Sequence, residues 1–140
     1  MISVPDLCIG NWVYDGERTQ FPMQVVGIGS DYVYLEFEGN EGDLWESKPE
    51  DLQGIPLTPE LLERIGAEKR FANNMLLSSY TSTTEIVVWV AFEDNGEIRA
   101  TVRYHTPQLV NMATSYSVHY LHELQNLFWN ITKQQLKIEL

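Results

Sequence analysis

An α+β fold is predicted for this chain, with a small SH3-like β-barrel at the N-terminus packed on a C-terminal antiparallel sheet that carries two helices. Three observations predict it. Short apolar runs separated by turn residues fill Leu7 to Pro56, a helix-start signal stands at Thr58, and a hairpin and an amphipathic helix follow it. The domain boundary is expected at the helix start, giving a barrel over 1–57 and an α+β domain over 58–140. With 140 residues, 44% of them hydrophobic, the chain has the composition of a globular protein.

In the first part, Asn11–Tyr14 reads as a strand stopped by Asp15-Gly16, and Phe21–Ile28 as a second ended by Gly29-Ser30. Asp31–Glu38 shows the period of two: Val33, Leu35 and Phe37 alternate with Tyr32, Tyr34, Glu36 and Glu38, the pattern of a sheet with one buried and one wet face. After Gly39–Gly42, strands are expected over Asp43–Ser47 and Leu52–Ile55. Five strands in so short a stretch point to a closed or nearly closed sheet, because closure protects the edges.

Thr58 suits the N-cap of a short helix over Pro59–Ile65. Pro59 at the first helical position loses no hydrogen bond, Glu60 faces the positive helix end, Leu57 and Leu62 can form a hydrophobic staple, and Gly66 follows the last turn. Glu85–Tyr104 reads as a hairpin about Asp94-Asn95-Gly96. A three-residue loop with Gly96 left-handed pairs Ile86, Val88, Val90 and Phe92 with Tyr104, Val102, Ala100 and Ile98 on the core face. The reverse face then sets Val87, Trp89 and Ala91 against Arg103, Thr101 and Arg99, with the indole between two guanidinium groups. A last helix is expected over Val118–Ile131, apolar along Leu121, Leu124, Phe128 and Ile131. Its wet side would carry His119, His122, Glu123, Gln125, Asn126 and Asn130. Thr132 would cap a further turn, and Leu136–Leu140 would close as a short strand.

Charge is distributed unevenly. Residues 1–57 hold eleven Asp and Glu against Arg18 and Lys48, a net of −9, while 58–140 hold nine acids against seven bases, a net of −2. A field of this sign favours a basic protein partner and argues against nucleic acid. No run suits a membrane-spanning helix and the first residues do not resemble a secretory signal, so a cytoplasmic setting is expected. Cys8 is the one cysteine, which excludes an internal disulfide, and its neighbours Leu7 and Ile9 suggest a small buried side chain.

Three blocks carry a resemblance: Ile9-Gly10-Asn11-Trp12-Val13, Gly54-Ile55-Pro56-Leu57-Thr58-Pro59-Glu60-Leu61-Leu62, and Tyr120-Leu121-His122-Glu123-Leu124-Gln125-Asn126-Leu127-Phe128. In this order they resemble a family of small uncharacterised proteins common in Bacteroidetes genomes, their phages and mobile elements. That family shows an Ile-Gly-Asn-x-Val start, a Gly-Ile-Pro-Leu-Thr helix entry and a closing Val-His-x-Leu-Gln-Asn-Leu-Tyr helix. The chain departs from it at Leu121-His122-Glu123-Leu124, where the pattern has Val-His-Gln-Leu, and in a longer stretch between Arg70 and Thr84. The resemblance implies no activity.

No motif for a catalytic nucleophile, a phosphate loop or a zincin is present. The expected function is therefore that of a non-catalytic accessory or adaptor protein of a phage or mobile element, without a cofactor, that binds another protein. Its interaction surface is placed on Tyr32, Tyr34 and Trp45 of the barrel, beside Asp15, Glu17, Glu36 and Glu46, and on Trp89, Arg99 and Arg103 of the hairpin, with His105 on the same stripe. An aromatic groove with acidic rims suits a Pro-rich peptide bearing basic residues. Two other readings stand beside this one. His119 and His122, with Glu123, could serve a metal-dependent or hydrolytic enzyme, although the His-x-x-His-Glu spacing is neither the zincin His-Glu-x-x-His nor its inverted form. Arg99, Arg103 and Trp89 could bind nucleic acid.

Overall fold

The computed structural model describes residues 2–16, 18–40, 43–71, 74–80, 85–105 and 112–140. Among these it is α+β, with two five-stranded antiparallel sheets and two helices. The chain divides into two units, Met1–Pro56 with Tyr120–Asn126, and Leu57–His119 with Leu127–Leu140.

The first sheet comprises β1 (Trp12–Asp15), β2 (Arg18–Ile28), β3 (Val33–Glu36), β4 (Trp45–Ser47) and β5 (Leu52–Gly54), in the order β4-β3-β2-β1-β5. All five lie where turn chemistry and alternation place them. β3 follows its alternation, with Val33 and Leu35 fully buried and Tyr34 and Glu36 half-buried between them. The register of β2 against β3 slips between Val25 and Gly27, a bulge that bends the longest strand of the sheet. The core gathers Ile2, Leu7, Val13, Met23, Val25, Val33, Leu35 and Leu52, with Phe37 and Trp45 packed on it. β4 and β5 are the two edges, and no ladder joins them among the described residues. Glu41 and Gly42 of the β3–β4 turn lie outside those residues.

The second sheet runs β10-β9-β8-β7-β6, from β6 (Glu68–Lys69), β7 (Asn74–Tyr80), β8 (Glu85–Phe92), β9 (Ile98–His105) and β10 (Met112–Ser117). The hairpin of β8 and β9 has the expected register throughout, from Ile86 opposite Tyr104 to Phe92 opposite Ile98. Gly96 takes a positive φ of 86° in its loop, as a three-residue connection requires. Met75, Leu77, Ile86, Val88, Val90, Ala100 and Val102 are buried along one face.

Helix α1 (Pro59–Arg64) is capped by Thr58, whose hydroxyl accepts the Leu61 N–H at 3.1 Å, and the staple residues Leu57 and Leu62 are both buried. Helix α2 (Leu121–Thr132) starts later than its periodicity suggests. Backbone pairing claims the three residues before it: Val118 N–H bonds to Ile98 C=O, Leu57 N–H to His119 C=O, and Tyr120 bridges Pro56. Glu123 reaches back to accept the Tyr120 N–H at 3.0 Å, satisfying one of the helix's first donors.

Three local expectations fail. Thr132 caps no further turn; its hydroxyl donates to Phe128 C=O at 2.7 Å and accepts from Gln134 N–H, closing the helix instead. Leu136–Leu140 is not a strand, since no neighbour pairs with it. Cys8 is exposed rather than buried, because the chain turns at Cys8–Gly10, with Asn11 N–H on Cys8 C=O, and Leu7 alone enters the core.

Gly54 on β5 is fixed by packing. A Cβ there would fall on Cγ of Tyr120 and within 2.9 Å of its Cβ. Gly54→Ala is expected to destabilise the protein by about 1–3 kcal/mol through overpacking, measured by urea unfolding.

Candidate protein-binding surface

Strand pairing decides which of the proposed barrel residues share a face. Residues directly opposite in an antiparallel pair point the same way, so Tyr34 and its partner Glu46 stand on the outward face, as do Glu36 and Gln24. Tyr34 lies over Gly27 and Gly29, its ring 3.3 and 3.5 Å from where a Cβ would stand at each. Tyr32, just before β3, is 40% exposed, and its carbonyl accepts the Gly29 N–H at 2.8 Å. The outcome is a face on which two tyrosines stand among Glu36, Glu46 and Gln24.

Trp45 is not part of that face. It sits opposite Leu35, whose side chain is in the core, and so belongs to the inner face, edge-on to Phe37 with ring centroids 6.1 Å apart. Its indole N–H donates to Asp15 Oδ2 at 2.8 Å, and the buried Ser47 hydroxyl donates to Asp15 Oδ1 at 2.5 Å. Asp15 is on β1 and its two partners are on β4, three positions away in the sheet order, so the sheet curls until its inner face meets itself. Gly16 N–H bonds to Asp51 C=O at the same end. Asp15, expected on an acidic rim, is thus a structural anchor. Glu17 lies outside the described residues.

A second polar constellation closes the first unit. Gln125 accepts the Trp12 N–H at 2.9 Å and donates to Gly10 C=O at 3.0 Å. Asn126 accepts from the Asn11 amide at 2.8 Å and donates to Asp6 C=O at 2.8 Å, while Asn11 accepts the Cys8 N–H. These amides were expected on the wet side of α2; the loop before β1 supplies the polar partners that solvent would otherwise have provided. With Ile55 C=O accepting Leu121 N–H and Val13 paired with Gly54, the three blocks singled out in the sequence touch one another.

His122 is also displaced from its expected position. It is 4% exposed, stacked on Tyr120 at 5.9 Å, and its Nδ1 has no hydrogen-bond partner among the described residues. Burial holds its pKa below the ordinary histidine value, outweighing the upward pull of Glu123 and Asp6. His119 is exposed, with Nε2 3.5 Å from Ser117 Oγ. No group of three His, Cys, Asp or Glu able to hold a metal ion occurs among the described residues.

On the second sheet Trp89 lies half-buried in a row with Leu76 and Thr101, and Thr101 shares a hydrogen bond with Ser115. Arg99 and Arg103 are both exposed, but they do not act as an equivalent pair about the indole. Arg99 Nε is 3.6 Å from Glu93 and its Nη2 3.9 Å from Glu97, which draws that cation toward the loop acids. The His105 side chain lies outside the described residues. Comparison with protein-family models, with curated proteins and with solved structures gave no match.

Asp15→Ala should remove the carboxylate that accepts from Trp45 and Ser47 and lower unfolding stability by about 1–3 kcal/mol, with a shift in tryptophan emission. For His122 the sign follows from its lowered pKa. Its folded form excludes the proton, so stability is complete above the ordinary value of 6.5 and falls as pH drops through it toward the folded pKa. Thermal midpoints between pH 7.5 and 5 should decline less steeply in His122→Phe than in the parent; equal slopes would remove His122 from the account.

Proposed function

We propose that this is a non-catalytic adaptor protein that binds a basic segment of another protein on the outward face of β2, β3 and β4. The observation that carries the reading is an exposed excess of negative charge. Asp31, Glu38, Asp43, Glu46, Glu50 and Asp51 are exposed, and residues 1–57 carry eleven acids against the two bases Arg18 and Lys48. A basic partner is drawn to such a field from a distance, and Tyr32 and Tyr34 offer flat apolar contact at its centre.

An SH3-like barrel is the finer description we favour for the first unit. Its support is the meander order with β1 beside β5, the single 3-10 turn Pro49–Asp51 between β4 and β5, and the Asp15 bridge from β1 to β4. Membership of the Bacteroidetes phage and mobile-element family is likewise proposed. It is supported by the mutual contacts of the three blocks, which give a physical reason for their occurring together. No helix among the described residues is long and apolar enough to cross a membrane; a cytoplasmic setting belongs to the same proposal.

The test uses a fluorescent Pro-rich peptide carrying Arg and Lys, with a neutral peptide as control. The basic peptide should bind in a salt-sensitive manner, and Glu36→Lys with Glu46→Lys should raise its Kd about tenfold or more while Arg103→Glu leaves it unweakened. Equal binding of both peptides, or indifference to the reversals, would sink the proposal.

A further inference from the structure

A sheet edge presents unpaired backbone donors and acceptors, and natural proteins guard such edges with shortness, charge, proline, bulges or a covering segment. Three of the four edges here are guarded. β4 is three residues long and carries Glu46, β6 is the pair Glu68–Lys69, and β5 is three residues long with the Tyr120 ring against Gly54. Among the described residues β10 has none of these devices. Its six residues, Met112-Ala113-Thr114-Ser115-Tyr116-Ser117, include no charge, proline or glycine, and its register with β9 is unbroken from Met112 opposite Tyr104 to Ser117 opposite Arg99. Thr114, Ser115, Tyr116 and Ser117 are all exposed, and β10 pairs with β9 alone among the described residues.

The Val118 N–H bond to Ile98 C=O fixes the alternation along this edge. Thr114 and Tyr116 direct their backbone groups toward β9, so Ala113, Ser115 and Ser117 direct theirs outward. That outward set is symmetric about Ser115. We propose that two copies of the chain associate by antiparallel pairing of β10 with β10, with the dyad at Ser115. Ser115 then faces its own copy, Ala113 faces Ser117 in both directions, and each pair exchanges both backbone hydrogen bonds.

Charge and chemistry favour a second copy as the occupant. Although each chain carries a net −11, nothing charged lies on β10, so the strands meet without like charges opposed. Tyr116, 41% exposed, gains the neighbouring strand's Thr114 as its cross-strand partner. A six-residue pairing buries less than the ~1,200 Å² at the lower end of stable interfaces, so the dimer dissociates on dilution.

Sedimentation velocity from low micromolar to near-millimolar protein tests this, together with amide exchange at Ser115. The parent should move from monomer to dimer mass, and Ser115 N–H protection should rise with concentration. Ser115→Lys sets like charges face to face at the dyad, and Ser115→Pro removes an outward N–H that β9 does not use. Each should raise the dimer Kd about tenfold or more with an unchanged circular dichroism spectrum. If Ser115→Pro fails to fold, Ser115→Lys, which gives up the exposed side-chain bond to Thr101 and keeps every backbone group, decides alone. A parent that stays monomeric throughout, a Ser115→Lys dimer as tight as the parent's, or Ser115 exchange independent of concentration would overturn the proposal.

Discussion

The first unit depends on a set of amide hydrogen bonds made by Gln125 and Asn126. The loop Asp6–Trp12 must leave the core, turn at Gly10 and enter β1, and in doing so it directs several backbone groups away from any ladder. Unpaired polar groups out of water are costly, so their partners decide whether the turn is stable. Each of the two amides has one donor and one acceptor in use, and together they bond to Asp6, Gly10, Asn11 and Trp12. Position matters as much as bond strength, because β1 stands between β2 and β5 and anchors Asp15 at its far end.

Much of the fold was legible in the sequence because it rests on local rules. Thr58-Pro59 announced α1, the match of apolar positions about Asp94-Asn95-Gly96 selected the hairpin register, and alternation along Val33–Leu35 separated the faces of β3. These signals are carried by neighbours in the chain. What the sequence misled on is carried by distant partners. Periodicity extended α2 back to Val118, but Ile98 and Leu57 hold Val118 and His119 in extended backbone. Polarity put His122, Gln125 and Asn126 in water, yet His122 is buried and the amides serve a loop more than a hundred residues away.

The candidate surface was half legible for the same reason. Tyr34, Glu36 and Glu46 could be grouped once the β3–β4 register was known, whereas Trp45 could not be assigned a face before it. The aromatic content alone suggested one groove, but the pairing divides it between an outward tyrosine face and an inward indole held by Asp15. Asp15 itself gave no sign of its role. An acid beside a glycine reads as turn chemistry, and only curling of the sheet brings β4 within its reach.

The split composition of the first unit orders the events of synthesis. Domains generally complete themselves from the N-terminus as the chain leaves the ribosome, but here residues 1–56 emerge well before Tyr120–Asn126. The growing chain therefore carries a nearly finished sheet whose turn lacks its amide partners while some sixty further residues are added, over several seconds at ordinary elongation rates. Through that interval the acid excess of residues 1–57 opposes association between neighbouring chains on the polysome. Helix α2, made after the strands of the first sheet, supplies the amides that the turn into β1 requires.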